Sequence, residues 1–275
     1  MAAVLGILAL LFASGTAFGA HGYAKTAFGE RPERPLGVFV KIPGVPGTAD
    51  APGHRDFVKC VSFRLVPDDG GGQSQFTIMK RLDKASPKLA RAEGEYTVYA
   101  DVGWMTGGNL FGFLLKDAQI QAVQQANPSS YPHLIPDPEA DVKYEMVRFI
   151  CDRVKWGAGD RKPTAPIAGL LMRSGGREVP LQAVSMSSRG SGGYVPTGLL
   201  FAPQDMPRGL LSEDHNAPDL VILARGNGQE NVILSMEGGT VADVTSFNAK
   251  ALGVSPAAGL VLLAVIHPGS ASVGD

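Results

Sequence analysis

The chain has 275 residues, enough for one large domain or two of ordinary size, each able to bury its own core. Its 25 basic and 26 acidic side chains are well mixed and leave a formal net charge of −1, which excludes the clustered Lys and Arg of a nucleic-acid or anionic-membrane surface. The 35 Gly and 20 Pro are spaced between apolar runs, the pattern of a turn-rich β protein and not of disorder.

The first nineteen residues have an apolar centre from Val4 to Ala13, and Ala17-Phe18-Gly19 offers a small-x-small cleavage site. Residues 1–19 therefore read as a signal-like segment, although no Lys or Arg precedes the apolar run; the alternative is an apolar arm. The run is too short to span a membrane, so no span is expected in the mature chain. Export or secretion is the expected fate, with a cytoplasmic stage before secretion as the alternative. Residues 20–36 are polar and irregular, an N-terminal arm.

Strands follow in order. VFVKIPGV (38–45) alternates and stops at Pro-Gly. DFVKCVSFRLV (56–66) places Phe57, Lys59, Val61, Phe63 and Leu65 on one face and Val58, Cys60, Ser62, Arg64 and Val66 on the other. PDDGGGQ is a turn, SQFTIMKRL resumes an extended pattern, and EYTVYADVGW is rich in β-branched and aromatic residues. LFGFLLKDAQIQAVQQ (110–125) fits a strand or a helical turn equally. VKYEMVRFICDRVKW (142–156) is a long strand, and GAGDRKPTAP (157–166) reads as an interdomain linker. Beyond it, seven short apolar runs between Gly, Pro and Asn belong to an all-β barrel or sandwich.

Chemistry is sparse. Cys60 and Cys151 lack the paired spacing and His neighbours of a zinc site; they either form one disulfide or stand as two buried thiols. Asp205, Asp214, His215 and Asp219 cluster in a segment with the composition of an exposed turn, without a nucleophile motif or ligand spacing. Ser185 and Ser187 lack a nucleophile elbow, and GGREV and RGNGQ read as hairpin turns and not phosphate loops. No catalytic residue, cofactor or metal is assigned.

VFVKIPGVPG, HRDFVKCVSF, a Gly-rich turn, FTIMKRLDKASPKL and VKYEMVRFICDRVKW occur in one order that resembles the haemolysin-coregulated protein family, the tube subunits of type VI secretion systems. Phe39, Lys41, Ile42, Gly44 and Gly47 match the family's opening strand. Lys80, Asp83, Lys84, Ser86, Pro87 and Leu89 match its Lys-x-x-Asp-Lys-x-Ser-Pro-x-Leu segment, and His54 its strand-opening histidine. The resemblance covers residues 37–156 and implies a small β-barrel with a short helix, a self-assembling subunit of hexameric rings stacked into a tube, and no enzyme. Asp83 or Ser86 is expected to cap the helix, with Pro87 in its first turn and Leu89 inward. The segment's charges are expected in solvent or against a neighbouring subunit. The chain departs from the family in its signal-like start, its shortened helix and its continuation past Trp156.

Residues 167–275 are either a degenerate second copy of the barrel or an unrelated β extension. The repeat lays FVKCVSF over PLQAVSM, FTIMKRLDKASPKL over GLLFAPQDMPRGLL, EYTVYADVG over NVILSMEGG, FGFLLKDAQIQAV over GTVADVTSF, and the closing strand over GLVLLAVI. Two barrels per chain predict a ring of three chains with pseudo-sixfold symmetry; a decorating second domain predicts a ring of six. Secretion-system components or effectors are further expected partners. The alternatives are a secreted effector with residues 160–275 as cargo, a subunit of an extracellular filament, and an exported binding module.

Overall fold

The computed structural model describes residues 36–68, 72–131, 133–136, 138–160, 162–188, 197–207, 216, 219–248 and 260–272. The signal-like segment, residues 20–35 of the arm, Asp214 and His215 lie outside them. The described chain is nearly all antiparallel sheet with one short α-helix.

The first half contributes β1 (Leu36–Lys41), β2 (Val58–Cys60), β3 (Ser62–Val66), β4 (Ser74–Arg81), α1 (Ser86–Leu89), β5 (Tyr96–Trp104), β6 (Asn109–Ala126), β7 (Tyr144–Cys151) and β8 (Arg153–Ala158). β1 pairs with β2 and β5, β5 with β6, β6 with β7, β7 with β4, and β4 with β3. β2 and β3 are one segment interrupted only at Val61, whose N–H donates to the Met79 carbonyl at 2.7 Å. That kinked segment closes the circuit into a barrel.

The kink also breaks strict alternation. Val58 and Cys60 face the core before it, and Phe63 and Leu65 after it. A one-residue interruption moves the inward set to the other parity. Inside, Phe63 stacks on Phe76 at 5.6 Å and meets Phe113 edge-on at 5.3 Å. The ambiguous run 110–125 is strand: β6 continues through its length, turning at Asp117 (φ 54) and bulging at Gln121.

Residues 157–166 are not a free linker. They end β8, turn, and begin β9 (Ala165–Ile167), which folds back on β8 with Trp156 opposite Ala165.

The second half contributes β10 (Gly169–Ser174), β11 (Arg177–Leu181), β12 (Ala183–Ser187), β13 (Thr197–Phe201), β14 (Leu220–Gly226), β15 (Gln229–Asn248) and β16 (Leu260–Ser272). Its circuit is that of the first: β10 with β11 and β14, then β15, β16, β13 and β12. Gln182 occupies the place of Val61, its N–H donating to Leu200 O at 2.8 Å.

The register repeats too. A shift of 121 residues turns Leu65↔Phe76 into Met186↔Thr197, the left-handed Asp117 into Gly238, and the Gln121 bulge into one at Ala242. Four expected alignments are corrected. FVKCVSF over PLQAVSM is two residues out of step, FTIMKRLDKASPKL over GLLFAPQDMPRGLL one, and FGFLLKDAQIQAV over GTVADVTSF seven. β5 corresponds to β14, while NVILSMEGG is the first half of β15 and corresponds to the start of β6.

The barrels join where β3 pairs antiparallel with β12, Phe63 opposite Met186, Arg64 opposite Ser185 and Leu65 opposite Val184. Under the 121-residue shift Arg64 and Ser185 are counterparts. A strand paired antiparallel with its own copy about equivalent residues defines a local two-fold axis, an isologous contact. One contiguous cluster of buried apolar side chains, from Phe63 and Phe76 to Met186 and Ile222, runs through both barrels.

Candidate functional site

The segment KRLDKASPKL surrounds a buried ammonium. Lys80 points off β4 and is wholly buried. Its Nζ donates to Glu145 Oε1 at 2.7 Å, Arg81 O at 2.7 Å and Asp83 Oδ1 at 2.8 Å, with Ser86 Oγ 3.1 Å away. Ser86 Oγ donates in turn to Glu145 Oε1 at 2.7 Å and accepts from Asp83 N–H at 3.0 Å. Burial works to raise the Asp83 carboxyl, but Lys80, the Thr48 hydroxyl (2.9 Å) and the Ala85 N–H (2.9 Å) outweigh it and hold its pKa below the usual carboxylate value. Two expectations are corrected here. The segment's central charges are paired inside the barrel wall and not solvated, Lys84 alone of the matched charges being exposed. The helix N-cap is Ala85, with no side-chain cap; Asp83 and Ser86 instead close the turn before it. Pro87 does stand in the first helical turn, and Leu89 is buried.

The opening segment meets this network through Thr48. Phe39 and Ile42 are buried, and Lys41 places its Nζ 5.3 Å from the Phe57 ring centre. His54 stacks on Phe39 with centroids 4.1 Å apart, 2% exposed and 3.6 Å from Asp101 Oδ2, beyond hydrogen-bond reach. The two matched glycines act differently. Gly44 has φ +76 with open space around it, whereas a Cβ on Gly47 would lie 1.9 Å from the Phe57 backbone. Gly44→Ala is expected to cost about 1–2 kcal/mol of stability. Gly47→Ala, which must displace backbone, is expected to exceed about 4 kcal/mol. Urea unfolding of both variants checks the order; equal losses would contradict it.

Cys60 and Cys151 are both buried free thiols, so the disulfide alternative is not formed. Cys60 lies on β2 beside β1, whereas Cys151 ends β7 against Ser74, and burial raises the Cys151 thiol to about 12. Asp205 is half-buried in a turn, and Asp219 accepts the Gly238 N–H at 2.8 Å. Gly175-Gly176 and Asn227-Gly228 form two-residue hairpin turns with positive φ throughout. Ser185 and Ser187 are buried in the seam.

Composition and spacing alone did not reveal two strand edges. Past Ala118, β6 has a described partner on one side only, β7, over residues 119–126. Past Thr240, β15 likewise has only β16 among the described strands. The 121-residue shift makes these edges equivalent. Gln119, Gln121, Gln124 and Gln125 on one, and Asp243 and Ser246 on the other, are exposed. An unpaired edge carries a row of free N–H and C=O groups, a template for another strand.

No family model matches the chain, and no curated protein matches it. Among solved structures, Hcp2 from Salmonella typhimurium is 15% identical with a TM-score of 0.33, over 45% of this chain and 90% of that one. Hcp1 from Salmonella typhimurium is 17% identical with a TM-score of 0.36, over 45% and 87%. A structure described as a type six secretion system protein is 14% identical with a TM-score of 0.36, over 55% and 95%. The chain is thus similar, over about half its length, to solved Hcp structures.

Proposed function

We propose that the chain is a structural, self-assembling subunit of rings or tubes of the type VI secretion kind, and not an enzyme. The observation that carries this reading is the pair of equivalent edges on β6 and β15, each paired on one side only among the described residues, which suit strand addition by a neighbouring copy. The Lys80 segment, matched residue by residue, supports the family assignment. The closed circuit of 169–272 supports a second barrel over an effector cargo. Domains at 37–156 and 167–275, export by the signal-like segment, and secretion-system components or effectors as partners belong to the same proposal. No helix among the described residues is long and apolar enough to cross a membrane.

The isologous seam bears on symmetry. A pseudo-sixfold ring of three chains needs the second barrel to follow the first by a head-to-tail rotation. A local two-fold does not supply that step. It favours the six-chain alternative, in which one barrel of each chain closes the ring and the other is carried on its end. The native mass of the full chain, with negative-stain images, is expected to show rings of six. Gln124→Lys together with Ser246→Lys, both exposed on the edges, is expected to reduce rings to smaller species with unchanged thermal stability. A strict monomer at high concentration, or rings indifferent to both charges, would overturn the reading.

A further inference from the structure

At the centre of the seam stands an arginine without a counter-ion among the described residues. Arg64 is 1% exposed, and its Nε and Nη1 have no hydrogen-bond partner. It lies on the outer face of the barrel wall, opposite Thr77 on β4, which is itself opposite Arg148 on β7. Cross-strand neighbours share a face, so the two guanidinium groups flank Thr77. Arg148 Nε is likewise unpartnered. On the same face lie the facing pair Ser62 and Ser187, both with unpartnered hydroxyls. His133, 4% exposed and with both ring nitrogens unpartnered, joins from the segment between β6 and β7, its ring 5.7 Å from Phe247.

Among the described residues, the titratable groups that act on Arg64 are Arg148 and Tyr131, with no carboxylate. Burial and Arg148 lower its pKa to about 10; burial, then Arg64, lowers that of His133 to about 3. The imidazole is therefore neutral and keeps one N–H to donate. The barrel does not need these cations to close. The second barrel has Ser185 in place of Arg64, and Val265 opposite Gly198 where the first has Arg148 opposite Thr77.

We infer that Arg64, Arg148, His133, Ser62 and Ser187 form a binding site for one tetrahedral oxyanion, phosphate or sulfate, at the seam between the barrels. Two guanidinium forks, an imidazole N–H and two hydroxyls supply donors to several acceptor oxygens, and the anion neutralises the like-charge pair of buried Arg64 and half-buried Arg148. Because Ser62 and Ser187 come from different barrels, the anion ties one to the other.

The test is thermal unfolding of the full chain in chloride, inorganic phosphate, sulfate and acetate at matched ionic strength, with equilibrium dialysis of labelled phosphate. Wild type is expected to bind one phosphate per chain and to gain several degrees with saturation. Arg148→Met, partly exposed and able to fold, is expected to weaken phosphate at least tenfold, and Arg64→Met to abolish binding while unfolding no earlier than wild type in chloride. An identical increment in Arg148→Met would mark a general salt effect and overturn the site. So would no increment in wild type, or an increment from acetate without one from phosphate. If Arg64→Met fails to fold, the Arg148→Met dialysis decides.

Discussion

Lys80→Ala is expected to lose about 3–5 kcal/mol of folding stability, because it leaves Glu145 and Asp83 buried or half-buried without their cation. The second barrel offers the control. The cross-strand pair Lys80↔Glu145 of β4 and β7 becomes Phe201↔Leu262 of β13 and β16, an apolar pair on the same circuit. Lys80→Phe combined with Glu145→Leu is therefore expected to recover most of the loss, since replacing both members of a buried ion pair by apolar residues is often near neutral. Urea unfolding of the single and double variants checks both; a double variant as weak as the single would show that the ammonium serves the turn before α1 more than the charge pair. Asp83 sets the pH dependence. Its folded pKa lies below the unfolded value, so its contribution is present above the unfolded pKa and is lost as pH falls through the folded one. Lys80→Ala is expected to flatten that acid limb.

The β class, the order of strands and the segment around Lys80 were legible in the sequence because alternation and Gly-Pro punctuation are local signals. The burial of Lys80 was not. Its partner Glu145 is 65 residues away, and a charge-rich segment with Pro in it reads as surface until the strand beside it is known. The repeat was visible in outline but two residues out of step over β2 and β3: Val-Ser-Phe beside Val-Ser-Met draws the eye, while the kinks at Val61 and Gln182 fix the true alignment through backbone bonds to β4 and β13. Run 110–125 stayed ambiguous because the turn at Asp117 and the bulge at Gln121 break its period. Arg64 sat on one of two faces that alternation alone did not rank, and its burial depends on chain far away in sequence.

Phe63→Ala is expected to cost about 3–5 kcal/mol and to lower the unfolding temperature of both barrels together. The ring stacks on Phe76, meets Phe113 and Phe111, and stands opposite Met186 across the seam, so its removal opens a cavity at the junction. Two barrels joined only by a flexible linker would unfold independently, each with its own midpoint. Here the 157–166 segment is folded onto β8, β3 is hydrogen-bonded to both β4 and β12, and one apolar cluster runs through both circuits. Unfolding β3 removes an edge from each barrel at once. Calorimetry of wild type is therefore expected to show a single transition with equal calorimetric and van't Hoff enthalpies, moved as a whole by Phe63→Ala. Two resolved transitions, only the first displaced by the substitution, would mean that the seam couples the barrels in space without coupling them in free energy.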